Sequence, residues 1–171
     1  MSNEIYEGLY ARTGGHFNLN VSGASGTGKS TFIRAFAASV LNSVPEEKED
    51  LCVKGSIRTE SGALEIAAEE THDAAQGEIA AAVLVVSDGS FGKVRSELLS
   101  QEEAIAAKLR ECGKPFMVYL NSAAPGSAEC EGLRVSLAEK YGAPVLAGDI
   151  HAGLDADKFM AEFLMAFPVK R

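Results

Sequence analysis

The run Gly23-Ala24-Ser25-Gly26-Thr27-Gly28-Lys29-Ser30 has the residue types and spacing to hold a polyphosphate. It fits the pattern G-x-x-x-x-G-K-[ST], the Walker A loop. Glycines let backbone N–H groups approach phosphate oxygens with no Cβ in the way. A helix starting directly behind the loop adds its own free N–H groups and partial positive charge. Lys29 supplies a point charge for the β- and γ-phosphates, and the hard oxygen of Ser30 suits Mg²⁺. Residues Gly23 to Thr31 are the expected phosphate cradle.

Such a loop works only between a strand and a helix, and both are legible. Residues 16–22 alternate Phe17, Leu19 and Val21, the period of a half-buried strand. Residues 31–41 carry apolar side chains at helical spacing, and the helix is expected to run to about Asn42. Residues 3–13 read as a short amphipathic helix stopped by Gly14-Gly15. Beyond the loop helix, residues 45–50 are a charged loop, 51–58 an extended segment, and Ser61-Gly62 a turn. Residues 63–76 are rich in Ala and Glu and fit a helix better than a strand, although 63–66 also fit a short strand. Residues 79–86 form a continuous apolar run ending in Ser87-Asp88-Gly89, as a strand buried on both faces does. A helix over 94–112, a strand over 115–120, a helix over 128–141, a strand over 144–147 and a helix over 155–167 complete the alternation. Repeated βα units imply parallel pairing with right-handed crossovers. The expected architecture is a three-layer α/β sandwich of P-loop NTPase type in one domain, residues 1–171, with ligand at the carboxyl ends of the strands.

Bulk composition excludes several classes. Hydrophobic residues make up 46% of 171, an ordinary globular share. A formal net charge of -8 provides no basic stripe for nucleic acid or anionic lipid. The longest apolar run is too short to cross a bilayer, so no direct membrane insertion is expected. The first fifteen residues hold no apolar signal core, and Cys52, Cys112 and Cys130 are scattered and odd in number. Reduced thiols in a cytoplasmic protein follow.

Several stretches together carry a more specific likeness. These are Ala11-Arg12-Thr13-Gly14-Gly15, the loop with Thr31-Phe32-Ile33-Arg34, Ser87-Asp88-Gly89-Ser90-Phe91-Gly92, and Gly113-Lys114-Pro115-Phe116 running to Asn121-Ser122. Further along, Leu137 to Tyr141 leads into Ala143 to Ala147, and Glu162-Phe163 into Phe167-Pro168. In these residues the chain resembles the ATPase domain of the stage IV sporulation protein A family, the spore-coat morphogenetic ATPases of endospore-forming bacteria. The resemblance implies a branch of the translation-factor-like GTPases that changed to ATP, with Mg²⁺ as cofactor. It also implies work in spore-coat assembly, in the mother-cell cytoplasm at the forespore surface. Implied partners are a full-length homologue or other spore-coat proteins.

GTPases of that class end the relevant strand in Asn-Lys-x-Asp, whose carboxylate pairs with guanine. Here the run is Asn121-Ser122-Ala123-Ala124, with no such acceptor, which favours ATP over GTP. Asn121 and Ser122 then either touch the base or cap the loop. Thr59, in Ile57-Arg58-Thr59-Glu60, resembles the family's switch threonine and would sense the γ-phosphate through Mg²⁺; a plain loop threonine is the alternative. Lys29 and Thr59 are thus the candidate catalytic residues, and Ser30, Thr59 and Asp88 the candidate metal ligands. Asp88 equally suits a turn before Gly89.

Two departures from the family stand out. Residues 51–75 show no apolar strand ending in the Asp that holds the Mg²⁺ water shell. Glu69 or Glu70 is the nearest substitute, against a solvated helix face for Glu65, Glu69 and Glu70. The family also continues into polymer-forming regions beyond Arg171, so a stand-alone domain, monomeric or weakly dimeric, is expected. Slow ATP hydrolysis is one function these residues support; nucleotide-dependent assembly with little or no hydrolysis is the other.

Overall fold

The structure, a computed structural model, describes residues 2–24, 26–42, 52–70, 81–91 and 94–166. Helix α1 (Ser2–Thr13) precedes strand β1 (His16–Gly23) and helix α2 (Lys29–Val40). A hairpin follows, β2 (Cys52–Thr59) and β3 (Gly62–Glu70). Then come β4 (Ala81–Ser87), α3 (Arg95–Cys112), β5 (Phe116–Asn121), α4 (Ala128–Tyr141), β6 (Val145–Gly148), a single 3₁₀ turn (Ile150–Ala152) and α5 (Ala156–Ala166). The strands form one sheet in the order β2-β3-β1-β4-β5-β6, parallel except for β2. This is the expected α/β three-layer sandwich, a P-loop NTPase-like fold.

One expectation fails. Residues 63–70 are strand, not helix: β3 pairs with β2 on one side and β1 on the other. Ala and Glu favour helix only weakly, and tertiary burial overrides a propensity that small. The decisive signal is period two. Leu64, Ile66 and Ala68 are buried, while Ala63, Glu65 and Glu69 are exposed. A helix would keep Leu64 and Ala68 on one face and turn Ile66 to the other; a strand puts all three on one face.

The face that buries them is covered by α1, α2 and α5. Its centre is five phenylalanines with no exposure, Phe17, Phe32, Phe36, Phe159 and Phe163. Phe159 meets Phe32, Phe36 and Phe163 edge-on, with centroids 5.3, 6.1 and 5.1 Å apart, and Phe163 meets Phe17 at 5.6 Å. Burial of each side chain contributes about 1.5–3 kcal/mol, and edge-to-face contacts add to it. The consequence for the site is rigidity: α2, which starts at Lys29, is clamped to β1 and α5.

On the opposite face α3 and α4 pack over β4, β5 and β6. A buried charge sits among them. Glu102, 1% exposed, is gripped by both guanidinium nitrogens of Arg95 at 2.8 Å and by the Tyr141 hydroxyl. An unpaired carboxylate there would cost several kcal/mol. Arg95 Nη1 also donates to the Ser87 carbonyl at 3.1 Å, which ties α3 to the end of β4. Burial first, then the hydrogen bond to Glu102, pushes the Tyr141 phenol well above its ordinary value. Helices α3 and α4 stop at Gly113 and Gly142, both left-handed, as their sequence positions predict.

Candidate functional site

The parallel strands bring their carboxyl ends to one edge of the sheet, and the loop between β1 and α2 lies there. Two glycines show why it must be glycine-rich. A Cβ on Gly23 would lie 2.5 Å from the Val85 carbonyl on the neighbouring strand. Gly28 has φ +103°, and a Cβ on it would meet Asn121 Nδ2 at 2.9 Å. Thr27 folds the loop on itself: its N–H and hydroxyl both donate to the Ala24 carbonyl, at 3.3 and 2.8 Å. Ser25 lies outside the described residues.

Lys29 reaches back over the loop. Its Nζ donates to the Gly23 carbonyl at 3.0 Å and forms an ion pair with Glu70 at 3.3 Å, both side chains 13% exposed. Glu70 is the last residue of β3, paired across to Val21 of β1. It shares the face of Leu64, Ile66 and Ala68, which points it at α2. The structure therefore replaces the helix-face reading of Glu70 with a carboxylate at a strand end, beside the loop lysine. Glu65 and Glu69 stay exposed.

A cavity of about 530 Å³ opens here, lined by Gly26 to Thr31, Glu70, Phe91, Gln101, Asn121 and His151. That volume suits a nucleotide-sized ligand. Its lining combines the loop lysine and its carboxylate partner with two rings, Phe91 and His151, whose centroids lie 4.8 Å apart with planes at 48°. Sequence reasoning missed Phe91, Gln101 and His151 as lining residues. Phe91 and His151 stand in turns after β4 and β6, where residue type announces nothing; only the topology brings them to the loop.

Asn121, 1% exposed, braces the floor. Its Nδ2 donates to the Thr27 carbonyl at 3.2 Å, and its Oδ1 accepts from Ile150 N–H at 3.1 Å. The side chain thus links the phosphate-side loop to the turn that carries His151. Ser122 is fully buried, and its Oγ accepts from Ala124 N–H at 3.1 Å.

Of the candidate metal ligands, Thr59 stands elsewhere and Asp88 is held by its own turn. Thr59 is opposite Gly62 in the β2–β3 hairpin, and its hydroxyl donates to the Gly62 carbonyl at 2.6 Å. Strand β3 is 9 residues long, so Thr59 lies about 26 Å from its Glu70 end. The antiparallel sense of β2 puts Thr59 at the wrong edge of the sheet for a phosphate sensor. Asp88 is close to the site but turned into its own loop. It accepts from Ser90 N–H at 2.9 Å and from the Ser90 hydroxyl. Burial works to raise its carboxyl; hydrogen bonds from Ser122 and Ser90 together outweigh that and hold it below its ordinary value. The turn reading of Asp88 is the one the geometry favours. Among the described residues no cluster of three or more His, Cys, Asp or Glu is arranged to hold a metal.

A family model described as the stage IV sporulation protein A ATPase domain matches residues 46–168. The chain belongs to this family. Stage IV sporulation protein A of Bacillus subtilis (strain 168) is 38% identical over 90 residues, 51% of this chain and 18% of that protein. The protein of the same name from Clostridioides difficile (strain 630) is 27% identical over 237 residues, 99% of this chain and 48% of that protein. The chain thus spans about half the length of the latter relative. Those 237 residues exceed this chain's 171, so the relative carries extra residues within the matched span. Among the described residues of this chain, no helix is long and apolar enough to cross a membrane.

Proposed function

We propose that the chain binds ATP with Mg²⁺ through the loop Gly23 to Thr31 and hydrolyses it slowly. The observation that carries this is the Lys29–Glu70 pair at the mouth of the glycine loop, with the Ser30 hydroxyl lining the same cavity. Loop N–H groups and Lys29 hold the β- and γ-phosphates. Oxygen donors alone, few in number and next to a phosphate site, are what Mg²⁺ takes, since it keeps much of its water shell. Ser30 and Glu70 fit that donor set: Ser30 would hold the ion and Glu70 its water shell. Such an ion neutralises charge on the transferring phosphoryl group. The polyphosphate takes Lys29 from Glu70 on binding, and Glu70 is then free to serve the metal side.

A second reading is favoured by the same pair. With Glu70, the last residue of β3, engaged by Lys29, the chain acts as a nucleotide-binding assembly module with little turnover. Its partner would be a longer member of the family or another spore-coat protein. Phosphate release measured beside ATP affinity separates the two. Turnover that Glu70→Gln abolishes supports the enzyme; tight, Lys29-dependent binding without turnover supports the module. ATP binding that Lys29→Ala leaves unchanged sinks both.

A further inference from the structure

We propose that Phe91 and His151 form the platform on which the base of the bound nucleotide stacks. The proposal rests on the nucleotide reading above and extends it from the phosphates to the base. Phe91 belongs to neither hydrophobic core and is 38% exposed. Its ring lies against His151, whose side chain is 55% exposed, and both rings line the cavity that the glycine loop also lines. A nucleotide with its phosphates on that loop has its base to place, and these two π-faces are the aromatic surface the cavity offers.

Neither residue of the Asn121-Ser122 pair is free to read the edge of the base. Both polar atoms of Asn121 are engaged with Thr27 and Ile150, and Ser122 is buried. Recognition by ring faces is sequence-tolerant, since every base has one.

Both turns are stitched in place. Asp149 Oδ1 accepts from His151 N–H at 3.0 Å, which fixes the 3₁₀ turn. Ser87 Oγ accepts from Gly89 N–H at 3.1 Å, Asp88 accepts from Ser90, and Ser90 Oγ accepts from Ala123 N–H at 2.9 Å. Asp88 therefore positions the turn that presents Phe91. Asn121 couples the turn of His151 to the glycine loop, because one side chain holds both. A platform fixed before binding costs little ordering entropy when the ligand arrives.

The test compares ATP with inorganic tripolyphosphate, both with Mg²⁺, on the wild type, Phe91→Ala, His151→Ala, the double variant and Phe91→Trp. The platform requires the double variant to lose on the order of tenfold or more in ATP affinity while tripolyphosphate affinity stays at the wild-type level. Phe91→Trp, which keeps a stacking face, retains ATP affinity. Parallel loss of ATP and tripolyphosphate in the double variant means the rings only support the loop, and overturns the proposal. So does unchanged ATP affinity. A wild type that binds tripolyphosphate but gains nothing from the base overturns the platform and leaves the phosphate loop standing; a wild type that binds neither overturns both.

Discussion

The two edges of the sheet carry cavities of similar size, about 530 Å³ at the carboxyl end and about 580 Å³ at the other. Their chemistry differs. At the second edge the polar groups close on one another. Glu7 accepts from Glu60 N–H and from the Ser61 hydroxyl, and Thr59 donates to Gly62. At the first edge a left-handed glycine, a helix N-terminus and a lysine–carboxylate pair line one open cavity. Volume does not distinguish a site from a hollow. Donors and charges aimed at a common point do, and parallel strands collect them at their carboxyl ends.

Substitutions at the two edges break this contrast or sharpen it. Lys29→Ala has the largest expected effect. ATP affinity, read by calorimetric titration, falls about 100-fold, the upper range for a charge-assisted hydrogen bond. Glu70→Gln comes next. The dependence of ATP affinity on Mg²⁺ shrinks about tenfold, while affinity measured without Mg²⁺ rises because Lys29 loses its competitor. Mg²⁺ dependence equal to wild type would remove Glu70 from the metal side. Thr59→Ala tests the opposite edge. Stability, measured by urea unfolding, drops by about 0.5–1.5 kcal/mol for the lost hydrogen bond, and ATP affinity does not move. Any substantial loss of affinity there would reverse the assignment of the two edges.

The smallest effect is a pH dependence. Asp88 is held below its ordinary value of 3.8 in the folded protein. The folded state therefore binds this proton less readily than the unfolded chain does, and the carboxylate stabilises the fold above the carboxylate range. That contribution fades as the pH falls through 3.8 and below. Asp88→Asn should melt lower than wild type at neutral pH, with the gap closing in acid. A gap that persists at low pH would mean that the substitution acts by shape and not by charge.

The glycine loop, its flanking strand and helix, and the alternation from 79 onward were legible because each rests on local pattern. Left-handed glycines, buried apolar runs and helix stops announce themselves within a few residues. The hairpin was harder. Residues 63–70 hold good helix formers, and the period-two placement of Leu64, Ile66 and Ala68 is hidden because Ala67 is apolar as well. Thr59 looked like a switch residue by its short motif; its position follows from the antiparallel sense of β2, a non-local fact. Asn121 lines the cavity, but its two contacts, with Thr27 and Ile150, lie 94 and 29 residues away in sequence. Phe91 and His151 meet across 60 residues of sequence and could be joined only by the sheet order.

Strand β3 imposes a parity on the chemistry. Glu69 and Glu70 are adjacent and chemically alike, yet only the even-numbered one shares a side with Leu64, Ile66 and Ala68. A one-residue slip against β1 would bring Glu69 to the lysine and expel three apolar side chains from the core at once. The loop lysine's partner is thus selected by the packing of the whole strand. An insertion of one residue at Ala67, which leaves every site residue in the sequence, puts Glu70 and the core residues Leu64 and Ile66 on opposite faces unless the strand absorbs the change as a bulge.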